Sequence, residues 1–223
     1  MDSAGTSPLI DQWSDAFRAV RQPTGPDWLR ELKEEAAHEF GVSGLPGRKT
    51  EAWKYTPLRM LEQQSPLIRA AESAAFAGGD LPEPVIAASA GIVDVRNGLL
   101  AGSLPKTTPG LTLQPMAAGI ESFAATLQRL LPAVDLSGSA NAFTALNTAF
   151  LDQGLIVHVA ENVDGGSLLL RWSRSVEASS RLDNFRLVVL LEAGAKLDLT
   201  EQFDGTSDAC GALNLVTQVE LAA

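Results

Sequence analysis

The sequence predicts an α+β fold in which helices come first and strands come last. Apolar residues recur at helical spacing in the amino-terminal part, whereas from Gly154 onward short apolar runs recur between turn residues. The 223 residues are 45% hydrophobic and 20% charged, which is enough apolar material for a real core. We therefore divide the chain into an amino-terminal helical or mixed domain over residues 1–153 and a strand domain over residues 154–223.

Two amphipathic helices are predicted near the amino terminus. Ser7 and Pro8 are typical of a helix start, and the helix that follows runs to Arg21. The second helix is expected to begin at Pro26 and to close at Gly41, since glycine adopts the left-handed cap conformation readily. Its apolar stripe consists of Leu29, Leu32, Ala36 and Phe40. We expect the two helices to pack as a hairpin.

The middle of the chain mixes short strands and helices. Three apolar runs are predicted as strands, at 85–87, 91–95 and 111–113. Asn97-Gly98 is typical of a tight turn after the second of them. Two helices are predicted to follow, over 120–131 and 141–152. Asn141 is the expected cap of the later helix and Gly154 its terminator.

After Gly154 the pattern is that of strands. Five apolar runs lie between turn residues, at 155–159, 168–172, 187–191, 197–199 and 213–221. In the last run Asn214, Gln218 and Glu220 alternate with apolar residues, as in a sheet with one buried face. The strand starts lie alternately about 12 and 17 residues apart, so two strands would form one solenoid coil of about 30 residues. A sandwich has the same alternation, so periodicity leaves both architectures open.

Composition and charge limit the function classes. The net charge of −10 argues against general affinity for nucleic acid or anionic membranes, because both require a cationic surface. The first residues lack the basic region and apolar core of a signal peptide, and no apolar run has the length of a membrane helix. The single cysteine, Cys210, excludes an internal disulfide. These features predict a soluble cytoplasmic protein.

The search for catalytic and ligand motifs predicts no catalytic, cofactor-binding or metal-binding residue. The segment from Gly47 to Thr50 lacks the glycine that a phosphate loop needs directly before its lysine. Neither His38 nor His158 has a second histidine or a cysteine at ligand spacing. His158 alternates with apolar strand residues and is expected to face away from them. Cys210 is expected to be a small packing residue.

The segment from Gly44 to Leu58 combines basic, aromatic and proline residues. Its apolar side chains are expected to pack the helical hairpin onto the sheet region: Trp53, Tyr55, Pro57 and Leu58. Its cations would then form a solvated edge: Arg48, Lys49, Lys54 and Arg59. Because this edge is basic within an acidic chain, binding of a charged partner is the alternative interpretation.

Two well-separated blocks carry a family resemblance. The first is Arg48-Lys-Thr-Glu-Ala-Trp-Lys-Tyr-Thr-Pro-Leu58, and the second runs from Asn141 to Phe150, followed by Asp152-Gln-Gly154 and Ile156-Val-His-Val159. In this order they resemble the SufD branch of the SufB/SufD family of iron-sulfur cluster assembly proteins. Residues 186–195 and 201–205, with Asn214, are similar to the start of that family's core domain. The resemblance covers the amino-terminal half of such proteins.

The resemblance implies a scaffold function. Members of this family carry an amino-terminal helical region, a right-handed parallel β-helix and a carboxy-terminal helical segment. SufD-like proteins pair with SufB-like proteins through their β-helices, and each partner docks a SufC-like ATPase. The complex receives sulfur, binds iron and builds a nascent cluster, while ATP is bound by the ATPase. The chain is therefore expected to be a non-enzymatic subunit that binds no cofactor of its own.

Family members are much longer than this chain, which ends within a strand-like run. We therefore expect a truncated form that contains only the first coils of the β-helix, and we expect it to self-associate through the exposed β-helix end. SufB-like and SufC-like partners are expected for the full-length form. Two alternatives remain. One is an interaction or capping β-solenoid module without cluster chemistry. The other is a solenoid carbohydrate lyase or acyltransferase, which requires clustered acidic or histidine residues on one face.

Overall fold

Two β-sheets face each other across an apolar core in the computed structural model, and helices pack against the outer side of one of them. The structure describes residues 7–19, 25–68, 83–175, 180–205 and 211–222. These residues form a mixed α+β fold, as the sequence predicts. Arg21, the predicted end of the first helix, and Cys210, the predicted packing residue, lie outside the described residues.

The helices of the described residues are α1 Pro8–Ala19, α2 Asp27–Ser43, α3 Arg59–Gln64, α4 Met116–Ser122, α5 Ala124–Leu130 and α6 Ala142–Ala149. Trp13 of α1 lies 6.0 Å from Phe40 of α2 between ring centroids, so the first two helices pack together. The short helix α3 has no counterpart among the predicted elements. None of the described helices has both the length and the apolar character needed to cross a membrane.

Three predicted helix boundaries are wrong. Helix α2 continues through Gly41, and Gly44 caps it instead, with φ 64° and ψ −173° and with its N–H donating to Phe40 O at 2.9 Å. The predicted helix over 120–131 is two helices, because Phe123 leaves helical geometry at φ −114° and ψ 25°. Gly119 brings α4 so close to the sheet that a Cβ there would collide with Ile156. The last helix ends at Ala149, before the predicted 152.

The strands of the described residues are β1 Leu67–Ile68, β2 Gly91–Arg96, β3 Leu99–Ala101, β4 Leu111–Pro115, β5 Gly154–Val159, β6 Asp164–Arg174, β7 Arg181–Leu191, β8 Lys196–Gly205 and β9 Gly211–Leu221. The first sheet runs β4-β5-β7-β9, with β1 beside the beginning of β7. The second sheet runs β3-β2-β6-β8. The turn at Asn97 and Gly98 joins β2 to β3, as predicted, with φ 49° and 75°.

The predicted strand at 85–87 is not one. These residues pass beside β8 without joining its ladder. The backbone N–H of Val85 donates to Gln202 Oε1 at 3.0 Å, and Gln202 Nε2 donates to Glu83 O at 3.1 Å. A polar side chain of β8 therefore satisfies backbone groups that a strand neighbour would otherwise pair.

Consecutive strands from β5 onward lie alternately in the two sheets. Strands β5, β7 and β9 pair in parallel in the first sheet, and β6 pairs in parallel with β8 in the second. Gly154 lies opposite Arg186, and Arg181 lies opposite Gly211, so equivalent positions are about 30 residues apart. The spacing inferred from the sequence thus corresponds to pairing between each of these strands and the second strand after it.

Strands from both sides of the 153/154 division share these sheets. Strand β2 pairs in parallel with β6, and β4 pairs antiparallel with β5. Side chains of β2 and β4, including Val93 and Leu111, lie in the core between the sheets. The two-domain division stays a prediction, and the strands of the two parts are continuous in the structure.

The core has two layers. Between the sheets, Trp172 and Phe185 meet edge to face with ring centroids 5.0 Å apart, among aliphatic side chains of both sheets. On the outer side of the first sheet, Ile156 and Val188 pack against α2, α4 and α5. Because β5 and the second half of β7 are buried on both faces, residues 155–159 and 187–191 are nearly continuous apolar runs.

Candidate functional site

Strands β8 and β9 leave the space between the sheets open at one end of the described structure. Their inward-facing side chains lie opposite core residues: Phe203 opposite Trp172 on β6, and Val219 opposite Val189 on β7. Yet Phe203 is 60% exposed, Val219 55% and Leu221 69%. We call this surface, formed by Phe203, Val219 and Leu221, the open end. It exposes side chains that occupy core positions.

The edges of the open end also carry hydrogen-bonding groups. Among the described strands, β8 pairs only with β6 and β9 only with β7. Each strand therefore presents one row of backbone N–H and C=O groups that no described strand pairs. Such rows are templates for pairing with a further strand. Apolar side chains and open backbone edges occur together here, which is the composition of a strand-addition surface.

A glutamate lies within the open end. Glu201 occupies an inward position opposite Leu170, and Trp172 Nε1 donates a hydrogen bond to its Oε1 at 3.1 Å. Partial burial raises the pKa of Glu201, and the bond from Trp172 opposes that rise. The ring of Phe203 stacks on Trp172 at 5.8 Å with an interplanar angle of 9°. The carboxylate is thus held beside an aromatic pair.

A buried arginine connects the helices to the first sheet. Arg186 of β7 is fully buried and donates to Asn147 Oδ1 at 2.9 Å, to Thr148 Oγ1 at 2.7 Å and to Gln218 Oε1 at 2.6 Å. Burial lowers its pKa to about 10. Its hydrogen-bond partners are neutral side chains of α6 and β9. This cluster is enclosed, so its contribution is to hold α6 against the strands.

The segment of residues 48–59, which we call the basic segment, is divided between anchoring and exposed side chains. Trp53 is half-buried, donates from Nε1 to Ala140 O at 2.9 Å and lies 5.1 Å from the Phe143 ring. Tyr55 is 87% exposed, which contradicts its predicted packing role. The predicted solvated edge is confirmed by the exposure of Arg48, Lys49, Lys54 and Arg59.

Residues 47–50, which were compared with a phosphate loop, form a turn held by hydrogen bonds between its first and last residues. The backbone N–H of Thr50 donates to Gly47 O at 2.9 Å, and the N–H of Gly47 donates to Thr50 Oγ1 at 3.2 Å. Thr50 Oγ1 also lies 3.1 Å from Ser139 Oγ, just before α6. The donors that a phosphate cradle would need are therefore directed into the turn and toward α6.

The two histidines lie apart on different elements. His38 is exposed on α2, in a groove that Arg18 and Glu34 also line. His158 faces away from the core between the sheets, as the alternation predicts, and its Nε2 lies 2.8 Å from Glu192 Oε1. This hydrogen bond, with one from the backbone N–H of Glu161, lowers the pKa of Glu192. Among the described residues no three metal-binding side chains cluster.

Sequence patterns missed three residues of these surfaces. Arg186 stands at the start of an apolar run and gives no sign of its burial. Glu201 is inward-facing only because β8 pairs with β6, which periodicity does not specify. Tyr55 looks like a packing residue beside Trp53. The inward positions of Val219 and Leu221 followed from the alternation along the last strand.

Two comparisons with known proteins gave no match. The chain matches none of the protein-family models against which it was scanned, and a search of curated proteins found no matching sequence.

Proposed function

We propose that this chain is a scaffold subunit of an iron-sulfur cluster assembly complex of the SufB/SufD kind. The observation that carries the proposal is the parallel pairing of β5 with β7 and of β7 with β9, with the intervening strands in the opposite sheet. This arrangement supports a finer fold in which residues 154–223 form the first coils of a right-handed parallel β-helix. A β-helix of this kind is what the family resemblance implies.

Contact between the two resembling blocks supports the same proposal. Trp53 belongs to the first block and Phe143 to the second, and their rings lie 5.1 Å apart. Thr50 lies within hydrogen-bonding distance of Ser139, two residues before the second block. Segments separated by more than eighty residues in sequence thus form one packed unit. Shared packing gives a physical reason for the two motifs to occur together.

The open end is the surface that fits a partner subunit. A SufB-like β-helix could add strands to β8 and β9 and cover Phe203, Val219 and Leu221. A SufC-like ATPase would supply ATP hydrolysis to the complex, and iron and sulfur would be its cargo. In this proposal the chain is a cytoplasmic subunit whose own side chains catalyse no reaction, and its contribution is to position its partners.

Co-expression with SufB-like and SufC-like proteins tests the proposal. The tagged chain is expected to retain the SufB-like protein, and the purified complex is expected to gain visible cluster absorbance with ferrous iron and sulfide. The double variant Val219→Lys/Leu221→Lys should lose the partner, while Val42→Lys, at a site on α2 that is 69% exposed and away from β8 and β9, should keep it. Failure of the wild-type chain to retain the SufB-like protein would contradict the proposal.

An interaction or capping module without cluster chemistry is the second candidate. The open end favours it to the same degree, because a strand-addition surface binds other chains whatever their chemistry. The same co-expression experiment separates the two. Retention of a partner without any gain of cluster absorbance, compared with the partner alone, would favour the capping module.

A further inference from the structure

The basic segment is anchored to the protein surface at two residues, Thr50 and Trp53. Trp53 is fixed by its hydrogen bond to Ala140 O and by the Phe143 ring. The hydroxyl groups of Thr50 and Ser139 lie 3.1 Å apart. Two anchors on the same structural region, three residues apart in the segment, restrict its movement. Side chains between and beside the anchors are therefore presented in a defined arrangement, which lowers the entropy cost of binding.

The cations of this segment are exposed and form no ion pair with any residue that the structure describes. They are Arg48, Lys49, Lys54 and Arg59. Other exposed arginines are paired: Arg18 lies 2.5 Å from Asp15, and Arg129 lies 2.5 Å from Glu220. Within residues 48–59 the only acidic residue is Glu51, so the segment is locally cationic in a chain of net charge −10.

An exposed apolar component accompanies these charges. Tyr55 is 87% exposed and Met60 is 68% exposed, and Lys54 Nζ lies 5.4 Å from the centroid of the Tyr55 ring. Tyrosine, methionine and arginine are enriched at protein interfaces relative to the remaining surface. Cations beside an exposed aromatic ring fit a ligand that has both carboxylates and an apolar side chain.

We propose that the basic segment is a docking surface for an acidic polypeptide segment of a partner protein. Charge complementarity selects this partner, because four exposed cations within twelve residues of an acidic chain form no ion pair with the residues that the structure describes. A nucleic acid requires a wider cationic surface than four side chains provide, because its charge is spread along a continuous phosphate backbone. The surface lies outside the strands that carry the proposed scaffold function, so the inference does not depend on that function.

Fluorescence anisotropy with a defined probe tests this inference. The probe is a fluorescein-labelled dodecapeptide of glutamates with one central phenylalanine, and the neutral control peptide has serine at each glutamate position. We expect the full chain to bind the acidic peptide, with affinity falling as salt rises, and not to bind the serine peptide. Absence of acidic-peptide binding at low salt would overturn the inference.

Matched charge reversals locate the binding. Lys49→Glu/Lys54→Glu should weaken binding roughly tenfold, because two exposed ion pairs are replaced by repulsion. Lys106→Glu/Lys196→Glu makes the same change in net charge at two exposed lysines elsewhere, and it should leave the affinity within about twofold. Equal losses in both variants would overturn the proposed location.

Tyr55→Ser tests the apolar component, and a labelled single-stranded DNA dodecamer tests the other polyanion. The serine variant is expected to bind the acidic peptide several-fold more weakly without a change in its unfolding midpoint. The DNA is expected to bind more weakly than the peptide at the same salt concentration. Tighter binding of the DNA would overturn the choice of an acidic polypeptide as the partner.

Discussion

Arg186 Nε donates a hydrogen bond to Asn147 Oδ1 at 2.9 Å, and both side chains are buried. The amide nitrogen of Asn147 donates in turn to Phe185 O and to Asn214 O, on β7 and β9. One asparagine of α6 therefore bridges two strands and orients the arginine. The helix is held to the sheet by specific polar contacts as well as by apolar packing.

Arg186→Lys is expected to lower the free energy of unfolding by about 2–4 kcal/mol. Lysine keeps the charge, but it lacks the planar fork that donates to three neutral side chains, so buried acceptors lose their partners. Urea denaturation followed by tryptophan fluorescence measures the change. The exposed control Arg18→Lys should change stability by less than about 0.5 kcal/mol. Equal effects in the two variants would contradict the role of the buried cluster.

Gly98→Ala is expected to destabilise the protein by about 3 kcal/mol. Gly98 has φ 75°, and a Cβ there would collide with Cβ of Asp183, so backbone strain and a clash add. Gly102→Ala is the matched control, because Gly102 has φ 71° and no heavy atom within 4 Å of such a Cβ. It should cost about 1 kcal/mol. Thermal unfolding of both variants measures the cost of backbone strain alone in Gly102→Ala and of strain together with a collision in Gly98→Ala.

Glu201→Gln is expected to increase stability at pH 7 by less than about 1 kcal/mol. Partial burial raises the folded-state pKa of Glu201, so the wild type loses stability as pH rises through that pKa. Glutamine does not titrate and still accepts from Trp172. Its advantage should vanish below the ordinary pKa of glutamate. Chemical denaturation at several pH values measures this difference, and Glu121→Gln is the exposed control. A difference in the free energy of unfolding between wild type and Glu201→Gln that does not change with pH would contradict this interpretation.

Val219→Lys/Leu221→Lys is expected to abolish self-association of the 223-residue chain. Both side chains belong to the open end and are 55% and 69% exposed, and charges there would have to be desolvated between paired chains. Sedimentation velocity over a range of concentrations measures the association. Val42→Lys, at a 69% exposed position on α2, should associate like the wild type. A wild-type chain that remains monomeric at all concentrations would refute the prediction.

Trp53→Phe is expected to lower the free energy of unfolding by about 1 kcal/mol. Phenylalanine keeps an aromatic ring near Phe143 but leaves Ala140 O without its indole donor. Tyr55→Ser, two residues later, should change stability by less than about 0.5 kcal/mol because Tyr55 is 87% exposed. Chemical denaturation of the two variants distinguishes the anchoring residue from the exposed one.

Sequence patterns predicted strands better than strand partners. The apolar runs of β5 and β7 and the turn at Asn97 and Gly98 were found because they depend on local periodicity and backbone preference. The pairing of β2 with β6 was not predicted, because it joins residues more than seventy positions apart. The failed strand at Val85 has the same cause: its backbone meets a side chain of β8 that no local pattern reveals.

The candidate surfaces were less predictable than the fold. Composition identified the basic segment, yet only the packing of Trp53 on Phe143 shows which aromatic residue is anchored and which is free. Arg186 follows a polar stretch of sequence, and only its contacts with α6 and β9 show that it is buried. Burial depends on tertiary contacts, and a single sequence records those contacts only indirectly.

The two ends of the paired sheets are unlike in the described structure. At the end away from the open end, β3 and β4 run antiparallel to their neighbours and are three and five residues long, whereas β8 and β9 have ten and eleven residues. If the open end of one copy met the β3 and β4 end of another, strands of different length and direction would face each other. If two copies join through their open ends, no open end remains for a third copy. Such contact therefore yields a closed two-fold pair instead of a fibre.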